Sequence, residues 1–75
     1  GRHDDAIRTL REILESNPNF HQSRVNLGVT LYAQGKHAEA GVEWQEVLRR
    51  DYANKSARMY LRMVQDGGAP EEKKP

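Results

Sequence analysis

The chain repeats itself. Residues 1–18 laid over residues 35–52 match at a constant offset of 34. Gly1 meets Gly35, Arg2 meets Lys36, His3 meets His37, Asp5 meets Glu39 and Ala6 meets Ala40. Leu10 then meets Trp44, with Ile13 on Val47, Leu14 on Leu48 and Asn17 on Asp51. The same offset carries Arg24 onto Arg58, Val25 onto Met59 and Leu27 onto Leu61. Apolar spacing alone could align some of these pairs, but it does not account for matched Gly, His and Ala at fixed phase. A period of this length describes a stack of similar supersecondary units, each burying its apolar face against its neighbours.

Within the repeat the apolar positions have helical spacing. Ala6, Ile7, Leu10, Ile13 and Leu14 predict a helix over 4–16. Asn17-Pro18-Asn19 breaks it, and Asn19 is the expected N-cap of the next. Val25, Leu27, Val29, Leu31 and Tyr32 mark a helix over 21–34, which Gly35 stops in the C′ role. Ala40, Trp44, Val47 and Leu48 mark a third over 37–50. Ala57, Tyr60, Leu61 and Val64, beside Met59 and Met63, mark a fourth over 53–66. Gly67-Gly68-Ala69-Pro70 is expected to end it, and Glu71 to Pro75 reads as a charged, disordered tail. Connections of a few residues make neighbouring helices antiparallel.

Composition narrows the function classes. A chain of 75 residues forms at most one small domain, burying roughly 60% of its unfolded surface. Twelve basic and eleven acidic residues are interspersed, giving a net charge of +1. That is no nucleic-acid footprint, so no nucleic-acid partner is expected. No apolar run is long enough to span a membrane, and no direct membrane insertion is expected. Cysteine is absent, which excludes disulfides and thiolate metal sites. The chain opens at Gly1 with no signal segment and reads as a piece of a longer protein; on this basis the cytoplasm is favoured.

The 34-residue helix–turn–helix period resembles that of the tetratricopeptide repeat family. With the family's repeat counted from His21, Leu27-Gly28 fall on its Leu-Gly pair. Ala40 falls on its small residue, Trp44 on its aromatic and Val47 on a later small or apolar position. In the partial repeat before it, Ala6, Leu10, Ile13 and Asn17-Pro18 take the corresponding places. The chain departs from the pattern at Arg24, Leu31 and Tyr52, where the family favours Trp, Tyr and Pro. The resemblance covers about residues 1–66. It implies an all-α fold of antiparallel helix–turn–helix hairpins stacked as a short right-handed α-solenoid. The expected division is 1–18, second helix of a partial repeat; 19–52, a complete repeat; 53–66, a C-terminal capping helix; 67–75, the tail. Arg62 supports the cap, because it replaces the Gly28 equivalent where a following helix would press. Gly28 and Ala40 are expected where two helices approach closely, with Trp44 filling the space between hairpins.

Chemistry is sparse. His3 and His37 share one phase and so stand about 20 Å apart, two helix diameters, too far to share a metal. Asp4 and Asp5 suit the positive end of a helix dipole. Ser16, Ser23 and Ser56 lack a His and carboxylate at helix spacing, and no phosphate-cradling loop exists. No enzyme activity, cofactor or metal is expected.

Function in such a fold is expected on the concave face. By match to the family's groove, Gln22, Val25, Asn26, Val29 and Tyr32 would face inward from the second helix. From the fourth they would be Ser56, Met59, Tyr60 and Met63. Asn26 matches an amide that holds a peptide carboxylate in chaperone-binding members, but Ser56 and Tyr60 stand where the basic partners belong. The resemblance therefore implies a protein-interaction scaffold taking an apolar or helical segment rather than an acidic tail. Two rivals remain. One is homotypic assembly, a homodimer formed edge to edge or by helix exchange through Ile7, Leu10, Ile13 and Leu14. The other is an RNA-binding helical repeat, against which the even charge and 34-residue period weigh.

Overall fold

The computed structural model describes residues 1–66 and contains four helices: α1 (Arg2–Ser16), α2 (His21–Ala33), α3 (His37–Arg50) and α4 (Lys55–Gln65). There is no strand among the described residues. The expected tail and the Gly67-Gly68-Ala69-Pro70 stop lie outside them. Each helix packs on the next along the chain, α1 on α2, α2 on α3 and α3 on α4.

Three turns set this order, each by different chemistry. Pro18 disfavours helical backbone at Asn17, which is extended (φ −144°, ψ 77°), and the chain leaves α1 there. Asn19 is not the cap of α2, contrary to expectation. The first helical residue is His21, so the cap position falls on Phe20, which makes no side-chain cap bond. Asn19 Oδ1 instead accepts from Arg50 Nη1 (2.9 Å), tying this turn to the end of α3. Between α2 and α3, Gly35 adopts φ +85°. The Gly35 amide donates to the Tyr32 carbonyl and the Lys36 amide to the Leu31 carbonyl, both at 2.9 Å. This is a Schellman closure, which needs the left-handed backbone that glycine supplies. Between α3 and α4, Asn54 Oδ1 accepts from the Ala57 amide (2.9 Å). This cap starts α4 at Lys55, two residues beyond the start expected from apolar spacing.

The core is Leu14, Val25, Leu27, Leu31, Ala40, Trp44, Val47 and Ala57. Trp44 organises it. Its indole is fully buried, and Nε1 donates to the Val25 carbonyl (3.2 Å). The ring stacks on Tyr60 of α4 (centroids 5.0 Å apart, 17° between planes) and meets Tyr32 of α2 at 6.1 Å. One side chain of α3 thus binds α2 and α4 together, as expected of a residue filling the space between hairpins. Gly28 is small for a more particular reason than helix approach. A Cβ built on it would lie 2.3 Å from Trp44 Nε1 and 2.6 Å from Cε2. The glycine makes room for the indole itself.

One ion pair reinforces α2 against α3. Arg24 Nη1 and Glu43 Oε1 are 3.3 Å apart, with both side chains largely covered (14% and 16% exposed). Arg24 also donates to the Pro18 carbonyl (3.2 Å), fixing the preceding turn. Arg24 stands where the family favours Trp, and it links three elements from there.

Candidate functional site

The residues expected on the concave face divide into four groups. Val29, Tyr32, Tyr60 and Met63 converge on Trp44 and line a small, almost wholly apolar depression of about 40 Å³. Val29 and Met63 are exposed at its rim. Tyr32 and Tyr60 are half-buried, and each has an aromatic partner besides Trp44 or in it: Tyr32 stacks on His37 at 4.0 Å, and Tyr60 stacks on Trp44. These four residues come from α2 and α4, so α3 serves as the floor through its tryptophan.

Gln22 and Asn26 form a polar extension along α2. Gln22 Nε2 donates to Asn26 Oδ1 (3.0 Å), and the Asn26 main-chain carbonyl accepts from Thr30 Oγ1 (3.0 Å). Both amide side chains are exposed. Ser56 and Met59 are exposed on α4 but do not line the depression.

Val25 is a correction. It is only 3% exposed and belongs to the core, its carbonyl held by the Trp44 indole. The cause is that α2 is covered by α1 on one side and α3 on the other, so Val25, the neighbour of exposed Asn26, is already inside. Leu14, expected on an open edge, is likewise buried, against α2. Ile7 and Leu10 are partly buried against the same core, and Ile13 is half-buried.

A second and larger concavity was not expected from the sequence. Between α1 and α2 runs an open groove of about 640 Å³. Ala6, Thr9 and Leu10 line it from α1, and Asn26, Val29 and Thr30 from α2, with Asp5 at its end. It shares Asn26 and Val29 with the concave face. The 34-residue offset was the available signal: Ala6 pairs with Ala40 and Leu10 with Trp44, and the latter two lie buried beneath α2.

Electrostatics are local. Asp5 pairs with Arg8 within α1 (2.7 Å). Asp4 accepts from Gln34 Nε2 (2.8 Å), and this bond, with the nearby N-terminal ammonium, holds its carboxyl below the ordinary range. On α3, hydrogen bonds from Arg49 and then Arg50 hold the Glu46 carboxyl down at about 2. Neither set faces the aromatic depression. Among the described residues no three His, Asp or Glu side chains gather as a metal would require, and no helix is long and apolar enough to cross a membrane.

The arrangement offers apolar and aromatic contact with an amide beside it. It contains no nucleophile–base pair. A family model described as tetratricopeptide repeat matches residues 1–56. No curated protein and no solved structure matches the chain.

Proposed function

The chain belongs to the tetratricopeptide repeat family, and we propose that its concave face, built by α2 and α4 over Trp44, docks an apolar or helical segment of a partner protein. Repeats of this family mediate protein–protein interaction and act as non-catalytic scaffolds. The finer reading rests on one observation: Val29, Tyr32, Tyr60 and Met63 surround a single apolar depression. Exposed Met and aromatic side chains on a rigid support suit an apolar anchor, because they present contact area and adapt to its shape. Gln22 and Asn26 are exposed on α2, N-terminal to Val29, and their amides can pair with a peptide main chain that runs along this helix. The lack of a cation at Ser56 and Tyr60 disfavours a carboxylate terminus as ligand.

In repeat terms, residues 1–18 supply a second-type helix, 19–52 a complete repeat and 53–66 a capping helix. Arg62 supports the cap: it is exposed, whereas Gly28 at the same phase lies against Trp44.

The test selects random-sequence peptides on the immobilised chain and measures their affinity for variants. Asn26→Ala combined with Met63→Gln should weaken the selected peptides at least tenfold with an unchanged melting temperature, since both side chains are exposed or at the rim. Tyr60 is a poorer target, because its stacking on Trp44 would mix binding with stability. Affinity untouched by that pair, but lost on Arg8→Ala with Arg11→Ala, would move the site to another face.

A further inference from the structure

The depression over Trp44 has α2 and α4 at its sides, α3 as its floor, and a volume of about 40 Å³. One water-sized atom needs about 10–15 Å³ of such space, so the depression admits about three heavy atoms. A phenyl ring, an indole or a long aliphatic chain does not fit. The three ring carbons of a proline or the branched tip of a valine do. The walls include three aromatic rings, those of Tyr32, Trp44 and Tyr60. Stacking holds them in place: Tyr60 lies on Trp44 at 5.0 Å and Tyr32 on His37 at 4.0 Å. No charged side chain lines the space, so the complementary guest is uncharged.

Hydrogen bonding separates proline from valine. The Trp44 indole N–H beneath the depression is taken up by the Val25 carbonyl. At the rim Val29 and Met63 are apolar and exposed. A main-chain N–H pressed against that rim would lose water and find no carbonyl or carboxylate among the lining side chains. Proline has no N–H to leave unpaired. What this surface offers is donors. Neither the Tyr32 nor the Tyr60 hydroxyl has a hydrogen-bond partner among the described residues. Asn26 Oδ1 is occupied by Gln22, which leaves the Asn26 Nδ2 hydrogens free on the same side of α2 as Val29. A polyproline II segment presents carbonyls without internal partners and few N–H groups, so it matches a surface of donors.

A helix would seat less well. Its anchors recur every turn and call for an apolar trough. One turn before Val29 and Tyr60 stand Asn26 and Ser56, both polar and exposed. A second apolar anchor therefore has nothing to meet there, whereas an extended segment needs only one. Given the concave face as the docking surface, the reading on which this one rests, we infer that the residue seated over Trp44 is a proline, carried by an extended, polyproline-like segment of the partner. The stacked walls are preformed and so is a polyproline II helix, so little freedom is lost when they meet.

Amide chemical shifts of the full chain, followed to millimolar peptide, test this with three capped, uncharged peptides of about ten residues. The first carries a central run of prolines between serines. The second has valine at each proline, and the third is an amphipathic helix of leucine and glutamine. The proline peptide should move Val29, Tyr32, Tyr60, Met63 and the Trp44 indole N–H. It should bind about tenfold more tightly than the valine peptide, the difference expected for an unpaired buried donor. Tyr32→Phe should weaken the proline peptide about threefold at an unchanged melting temperature, since only the hydroxyl is removed. Equal affinity for the proline and valine peptides would overturn the inference. Movement of those resonances by the helix alone would also overturn it, while leaving the concave face as the docking surface. If none of the three peptides moves them, both readings fall.

Discussion

Replacing Gly28 with alanine should destabilise this fold even though alanine is the better helix former. In an open helix the change would gain about 0.8–1.0 kcal/mol. Here the new methyl would stand 2.3 Å from Trp44 Nε1 and 2.6 Å from Cε2, well inside contact distance. Overpacking of this kind costs about 1–3 kcal/mol. The indole is fully buried, so it can withdraw only by lengthening its 3.2 Å bond to the Val25 carbonyl. An unpaired buried N–H adds about 1–3 kcal/mol. The net expectation is a loss of about 1–5 kcal/mol, from a total of about 4–11 for a chain of this length. Urea unfolding followed by far-ultraviolet circular dichroism measures it directly. The double variant with Trp44→Leu supplies the control, since leucine is what α1 carries at the equivalent Leu10. In that background Gly28→Ala should become neutral or stabilising, a non-additivity expected only of residues in contact. A single Gly28→Ala variant more stable than the parent by about 1 kcal/mol, as propensity alone would give, would refute the reasoning.

Trp44→Ala should cost about 3–5 kcal/mol, and the native chain should show the blue-shifted emission of a buried indole; water-like emission would contradict its placement in the core. Gly35→Ala should cost about 1–2 kcal/mol, because the Schellman closure requires φ +85° there; an unchanged urea midpoint would count against that turn. The Glu46 carboxyl should titrate at about 2 by carbon-detected NMR, held there first by Arg49 and then by Arg50. A depressed carboxyl contributes stability that is complete above its ordinary value and fades as pH falls through about 2. Glu46→Gln should therefore remove part of the acid limb of the stability curve, and a midpoint near the ordinary 4.5 would contradict the pairing.

Punctuation made much of the fold readable. Pro18 and Gly35 each leave the backbone few choices, so the ends of α1 and α2 could be placed closely. The start of α4 was less accessible. Apolar spacing continues up to it, and the decision belongs to one hydrogen bond from the Ala57 amide to Asn54. Burial on α2 was harder still. That helix is covered on two sides, so its apolar residues spread around it rather than forming one stripe, and Val25 could not be told from Val29 by spacing. The Arg24–Glu43 pair joins residues 19 apart on different helices, and only the hairpin geometry brings them together. The convergence of Val29, Tyr32, Tyr60 and Met63 was anticipated through the family's groove, whereas no family position pointed to the groove between α1 and α2.

The most direct test of the binding surface is amide chemical-shift mapping of the chain during titration with a peptide selected on it. The expected result is a continuous set of shifted resonances at Asn26, Val29 and Tyr32 of α2 and at Tyr60 and Met63 of α4, with the Trp44 indole N–H moving alongside them. Shifts confined to Arg8, Arg11, Arg49 and their neighbours, with those five positions and the indole unmoved, would contradict the assignment of the concave face as the docking surface.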